Sequence, residues 1–126
     1  MTAYLDTHVL LWVLEDDRKH ITPGALQVID RADLLVSPMV LLELEYLYEI
    51  ERTYLTSSHV RSRMEHDLNI QVCELSFARV AEAALEEKWT RDPFDRLIVA
   101  HAKANGYATL VTADTRIKRH YPEALW

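Results

Sequence analysis

Short apolar runs alternate along this chain with longer stretches in which apolar residues recur every third or fourth position. By period, the runs read as buried strands and the stretches as amphipathic helices. Tyr4-Leu5 opens a first strand, and the residues after Thr7 (Val9, Leu10, Trp12, Val13, Leu14) suit a helix. Thr22-Pro23 is a helix start, with a capping threonine and a first-turn proline, and this helix runs to about Ala32. Leu34–Val36 is a short strand; Ser37-Pro38 then begins a helix to about Arg52. Ser57 or Ser58 caps the next, through about Leu68. Ile70–Leu75 is a third strand, followed by a helix from Ser76 to about Trp89. Asp92-Pro93 opens a helix that stops at Asn105-Gly106, Thr109–Thr112 is a fourth strand, and Ala124–Trp126 suits a fifth on the sheet edge. Strands separated by helices imply parallel βαβ units with right-handed crossovers and helices on both faces. The expected class is α/β, with a parallel four- to five-stranded sheet.

Composition narrows this little. With 126 residues, two glycines and four prolines, the chain reads as a single domain, 1–126, without linkers or repeats. A hydrophobic fraction of 49% and a charged fraction of 27% are those of a globular protein. No apolar run approaches the roughly 20 residues of a membrane span, and no export segment precedes the first strand. The lone Cys73 excludes an internal disulfide; with the missing span, this points to the cytoplasm. A net charge of -6 argues against a broad phosphate-binding surface but leaves room for a local basic rim.

The acids change the picture more. Asp6 stands where the first strand gives way to a helix, at the mouth where open α/β sheets bind ligands. On the helix from Ser37, at ~100° per residue, Val40, Leu44, Leu47 and Tyr48 form an apolar arc extended by Tyr46 and Ile50. Glu45 and Glu49 fall opposite it, but Glu43 falls inside, between Ile50 and Leu47. A carboxylate facing a core needs a cation, a hydrogen-bond network or a raised pKa; a pairing arginine or a place at the arc's edge is the plainer reading. After Asp92 the anomaly repeats. Arg96 and Lys103 share a solvated face, while Asp95 lies beside Val99, Ala102 and Ile98. Asp92 itself reads first as a helix cap and otherwise as a residue supporting the site beside Asp95. Asp114, just past the fourth strand, is a turn or cap residue unless that strand lies beside the first, with strands two and three on the other side. Asp6 and Asp114 then flank the crevice where the strand order reverses, and Glu43 and Asp95 start from the same sheet edge.

Four carboxylates there repel one another, and hard oxygen donors at an open site suit Mg²⁺ or Mn²⁺, which support phosphodiester hydrolysis. Thr7 and Thr112 are candidates for hydrogen bonds to Asp6 and Asp114. Arg91, Arg96, Arg116 and Lys118, with Arg119 and Lys88, form a candidate rim for a phosphate backbone, or simply a solvated face. His8 and His101 read as packing residues, and Cys73 as a small buried one. Tyr46, Tyr48, Tyr54, Leu47 and Trp12 are core and ordinary exposed aromatics, or a groove for a partner segment or a second copy.

Taken in order, LDTHVLLW, SPMVLLELEYL, RDPFDRLIVAHA and LVTADTRI resemble the PIN domain, and most of all its VapC-type toxins. The resemblance spans nearly the whole chain, and the family's acidic positions match Asp6, Glu43, Asp95 and Asp114. It implies a PIN-like α/β/α sandwich and an Mg²⁺- or Mn²⁺-dependent endoribonuclease that leaves a 5′-phosphate and a 3′-hydroxyl. It also implies a cognate VapB-like antitoxin, a homodimer, and RNA substrates such as transfer or ribosomal RNA. The alternatives are a DNA or flap nuclease and a non-catalytic module whose acidic pocket docks a basic helix. A phospho-accepting receiver domain would leave Glu43 and Asp95 unexplained.

Overall fold

A computed structural model describes all 126 residues. Five parallel strands, β1 (Thr2–Leu5), β2 (Asp33–Val36), β3 (Gln71–Val72), β4 (Thr109–Val111) and β5 (Ala124–Leu125), lie in the order β3-β2-β1-β4-β5. Tyr4 of β1 pairs in register with Leu35 of β2 and with Leu110 of β4, so the order reverses beside β1, as expected. The central strands are the apolar ones: Ala3, Tyr4, Leu5, Leu110 and Val111 are fully buried. Both edge strands are two residues long, which leaves little unpaired backbone for unwanted pairing.

Seven helices connect them: α1 (Thr7–Leu14), α2 (Pro23–Arg31), α3 (Pro38–Glu49), α4 (Ser57–Arg63), α5 (Phe77–Ala84), α6 (Pro93–Ala104) and α7 (Thr115–His120). The steps β1→β2→β3 run one way across the sheet and β3→β4→β5 the other, so crossovers of one hand lay helices on both faces. The result is the α/β/α sandwich with a parallel sheet that the sequence implied. Proline occupies the first turn of α2, α3 and α6, and Thr22, Ser37, Thr56, Ser76, Asp92 and Asp114 accept backbone N–H groups as caps.

Several boundaries differ from expectation. Helix α3 ends at Glu49 rather than Arg52, because Glu51 turns left-handed (φ 62) and Arg52 N–H reaches back to Leu47 O. Thr56, not Ser57 or Ser58, caps α4, and a wider π turn, Met64–Leu68, extends it. The third strand shrinks to Gln71–Val72. After Cys73 N–H bonds Val36 O the chain leaves the sheet. Helix α5 stops at Ala84 rather than Trp89, because Glu87 and Trp89 turn inward instead of continuing an exposed face. A short 3₁₀ turn, Arg18–His20, went unread in the sequence.

The apolar arc read on α3 is core at only one end. Val40 and Leu44 are buried, whereas Tyr46, Tyr48 and Ile50 are exposed, since the far half of α3 runs beyond the sheet. Leu42, Tyr46 and Ile50, four residues apart, share one exposed face of α3 and its cap; Tyr48 lies on another face, and Tyr54 is almost fully exposed.

Candidate active site

Asp6 continues β1 by one backbone bond, its N–H donating to Val111 O at 3.0 Å, and then turns the chain into α1. Its carboxylate is buried and doubly held: Oδ1 accepts Thr7 N–H at 2.8 Å and Oδ2 accepts the Thr112 hydroxyl at 2.5 Å. The same Thr112 oxygen accepts Asp114 N–H at 3.1 Å. One threonine therefore joins the ends of the two strands between which the order reverses. The Thr7 hydroxyl donates to the Glu43 carboxylate. The expected pairing of Thr7 with Asp6 and Thr112 with Asp114 is thus crossed at the side chains. Thr7 begins α1, which packs on α3 and its Glu43, while Thr112 ends the strand lying directly beside Asp6.

Glu43 and Asp95 are half-buried, on the second turn of α3 and the first turn of α6, and Asp114 is exposed. Asp114 caps α7 through Arg116 N–H (2.8 Å) and Ile117 N–H (3.0 Å). Asp92 caps α6 through Phe94 N–H at 2.9 Å, as its sequence context indicated. The ion pairs of the molecule are His20–Asp17, Arg63–Asp67 and Lys103–Glu87. None of the four acids has a cationic partner.

That missing counter-charge registers in their acidity. Burial, followed by the charges of Asp92, Asp6, Asp114 and Glu43, pushes Asp95 up to about 7. Burial also raises Glu43, partly offset by the Thr7 hydroxyl and reinforced by Asp6 and Asp92. Asp6 is raised by burial, with the Thr112 hydroxyl and Thr7 N–H pulling it back and Asp114 pushing it further. Acids from four distant segments therefore act on one another across one mouth. They do not close into a ready-made cage, since no three His, Cys, Asp or Glu side chains form a preformed metal cluster. An all-carboxylate set, spread and uncompensated, fits a hard divalent cation that keeps several waters better than an ion needing a tight protein shell.

Of the candidate rim, Arg91, Lys88, Lys118 and Arg119 are exposed and Arg96 is half-buried. Arg116 is exposed but engaged: Nη2 donates to Trp89 O at 2.6 Å and its guanidinium carbon lies 5.7 Å from the Trp89 ring centre. His101 packs as expected, with Nδ1 2.8 Å from Ser37 Oγ and 3.0 Å from Leu97 O, and burial lowers its pKa. His8 does not pack in the core. It is exposed on the outer first turn of α1, tilted against Trp12 at 6.2 Å, and its charge eases the ionisation of Asp6 and Glu43. Cys73 is buried and accepts the Tyr4 hydroxyl at 3.0 Å.

Sequence reasoning missed Glu87. It is 1% exposed, paired with Lys103 and bonded to the Trp89 indole N–H at 2.6 Å. Lys103 is accordingly no solvated lysine. Within ALEEKWT nothing separates Glu87 from its neighbour Glu86, because the loop that buries it has no period.

A family model of the PIN domain matches residues 3–121. No curated protein matches the chain. Among solved structures, the fold resembles a chain of VapBC2 from Rickettsia felis bound to a DNA fragment from their promoter. The TM-score is 0.65 at 21% identity, covering 99% of this chain and 96% of that one. It also resembles a chain of a toxin–antitoxin complex from Klebsiella pneumoniae, with a TM-score of 0.63 at 17% identity, covering 98% and 96%.

Proposed function

Because this chain belongs to the PIN domain family, we propose that it is a metal-dependent endoribonuclease acting as the toxin of a toxin–antitoxin pair. The observation that carries this reading is the convergence of Asp6, Glu43, Asp95 and Asp114 without a lysine or arginine partner. These four would hold Mg²⁺ or Mn²⁺. A bound divalent cation supplies charge to neutralise the phosphoryl oxygens and lowers the pKa of an attacking water.

The chain's own residues do the rest. Thr112 and the Thr7 N–H fix both oxygens of Asp6, and the Thr7 hydroxyl fixes Glu43, so neither carboxylate reorients when substrate arrives. Asp95, half-buried and raised to about 7 without a cation, would give up its proton to become a ligand, and the proton of the attacking water passes to solvent. The water oxygen bonds to phosphorus, the P–O3′ bond breaks, and the 3′-oxygen takes up a proton from solvent. Arg91 and Lys118, exposed beside the mouth, suit contacts to flanking phosphates.

The partner reading rests on Leu42, Tyr46 and Ile50, which share one exposed apolar face of α3 of the kind that marks interaction sites. The two similar structures are of VapBC2 and of a toxin–antitoxin complex, which supports a VapB-like antitoxin as the partner; a homodimer belongs to the same proposal. No helix is long and apolar enough to cross a membrane, and a cytoplasmic site of action follows from an RNA substrate.

Purified protein, labelled RNA and Mn²⁺ test the proposal, with Asp6→Asn and Asp95→Asn as controls. Cleavage that needs the cation and disappears in both variants is the expected result. Equal cleavage by the variants, cleavage of DNA flaps but not RNA, or binding of a basic peptide without cleavage would contradict it.

A further inference from the structure

Residues 85–92, between α5 and α6, are anchored by side chains rather than by a backbone ladder. Glu87 is buried between two helices' worth of partners: one carboxylate oxygen pairs with Lys103 of α6, the other accepts the Trp89 indole N–H at 2.6 Å. The Trp89 ring in turn stacks on His120 of α7, with centroids 5.0 Å apart and planes 9° from parallel. Arg116, one turn earlier on α7, lies 5.7 Å from the same ring and donates to the Trp89 carbonyl at 2.6 Å. Trp89 thus joins the last turn of α6, through Glu87 and Lys103, to α7, through Arg116 and His120, while Arg116, in the first turn of α7, grips the chain four residues before α6 begins.

Those helices begin with Asp95 and Asp114, whose like charges push them apart when both are ionised. We infer that Arg116 is a positioning residue: by gripping the Trp89 carbonyl and ring it ties the first turn of α7 to the loop that enters α6, and so sets the separation of Asp114 and Asp95 and the affinity of the acidic mouth for a divalent cation. This rests on the reading of the acids as cation ligands. It gives Arg116 a contact within the chain, through Nη2 and the guanidinium face, in place of the phosphate-binding role.

Arginine and lysine differ in the way the inference needs, since lysine keeps the charge but has neither the fork nor the flat face that lies against Trp89. Calorimetric titration with Mn²⁺ should show Arg116→Lys binding about 10-fold more weakly than wild type, the lower end of the range for residues that orient ligands. Its kcat should fall while KM for RNA and the salt dependence of RNA binding stay unchanged. Trp89→Phe, which keeps a ring but loses the N–H to Glu87, should weaken Mn²⁺ in the same sense and serves if Arg116→Lys does not fold. Wild-type Mn²⁺ affinity in both variants overturns the clamp. So does a raised KM in Arg116→Gln with a salt slope shallower by about one, the signature of a phosphate contact. Wild-type protein that takes up no Mn²⁺ would instead contradict the cation reading itself.

Discussion

Asp95 concentrates the chemistry of the site in one titration. Its ordinary value is 3.8 and its folded value about 7, so the folded cation-free chain keeps a proton that the unfolded chain gives up. Its stabilising contribution is complete below the ordinary value and is lost as pH rises through about 7. Melting temperatures of the cation-free protein should therefore fall across that window, less steeply in Asp95→Asn, and recover with excess Mn²⁺. A slope unchanged by the substitution would contradict the assignment. Thr112 offers a second check. Thr112→Val keeps the shape but removes the hydroxyl from the buried Asp6 carboxylate, and should lower stability by about 1–3 kcal/mol in a denaturant titration. Inward-facing Glu43 and Asp95 were legible because each breaks the polarity pattern of its helix. Which threonine bonds which acid was not, because that depends on neighbouring strands and helices rather than on spacing. Glu87 left no trace at all: its burial is decided by Lys103, which reads as a solvated helix residue, and by Trp89, in a loop that reads as the end of a helix.

At the scale of elements, the site is an arrangement of helix beginnings. Asp6, Asp92 and Asp114 cap α1, α6 and α7, so each carboxylate has a structural duty beside its place at the mouth. The two duties separate by substitution. Asp92→Asn keeps a capping oxygen and should cost only a few tenths of a kcal/mol, whereas Asp92→Ala should cost about 1 kcal/mol. Thermal unfolding of the pair measures it, and equal losses would mean that the negative charge rather than the cap matters. Caps and first-turn prolines made most helix starts readable to within a residue. Helix ends were less so. The left-handed turn at Gly106 was expected from its glycine, but those at Glu51 and Asn69 depend on backbone bonds to Leu47 and Met64 that no local residue type announces.

For the whole molecule, the strand order was the decisive inference, since it alone brings Asp6 next to Asp114. The sequence posed it only as a condition, because parallel crossovers do not decide which side of β1 the fourth strand joins. The far half of α3 resisted the same logic: a helix that leaves the sheet exposes residues that would otherwise be core, and Tyr46, Tyr48 and Ile50 look no different in sequence from buried ones. The account as a whole stands on acids from four segments sharing one cation. Crystals soaked in Mn²⁺ and measured at its absorption edge test that most directly. The predicted result is an anomalous peak in the mouth, ligated by Asp6 and Asp95 together with Glu43 or Asp114. A mouth without a peak at saturating Mn²⁺, or a peak held by one carboxylate alone, would contradict it.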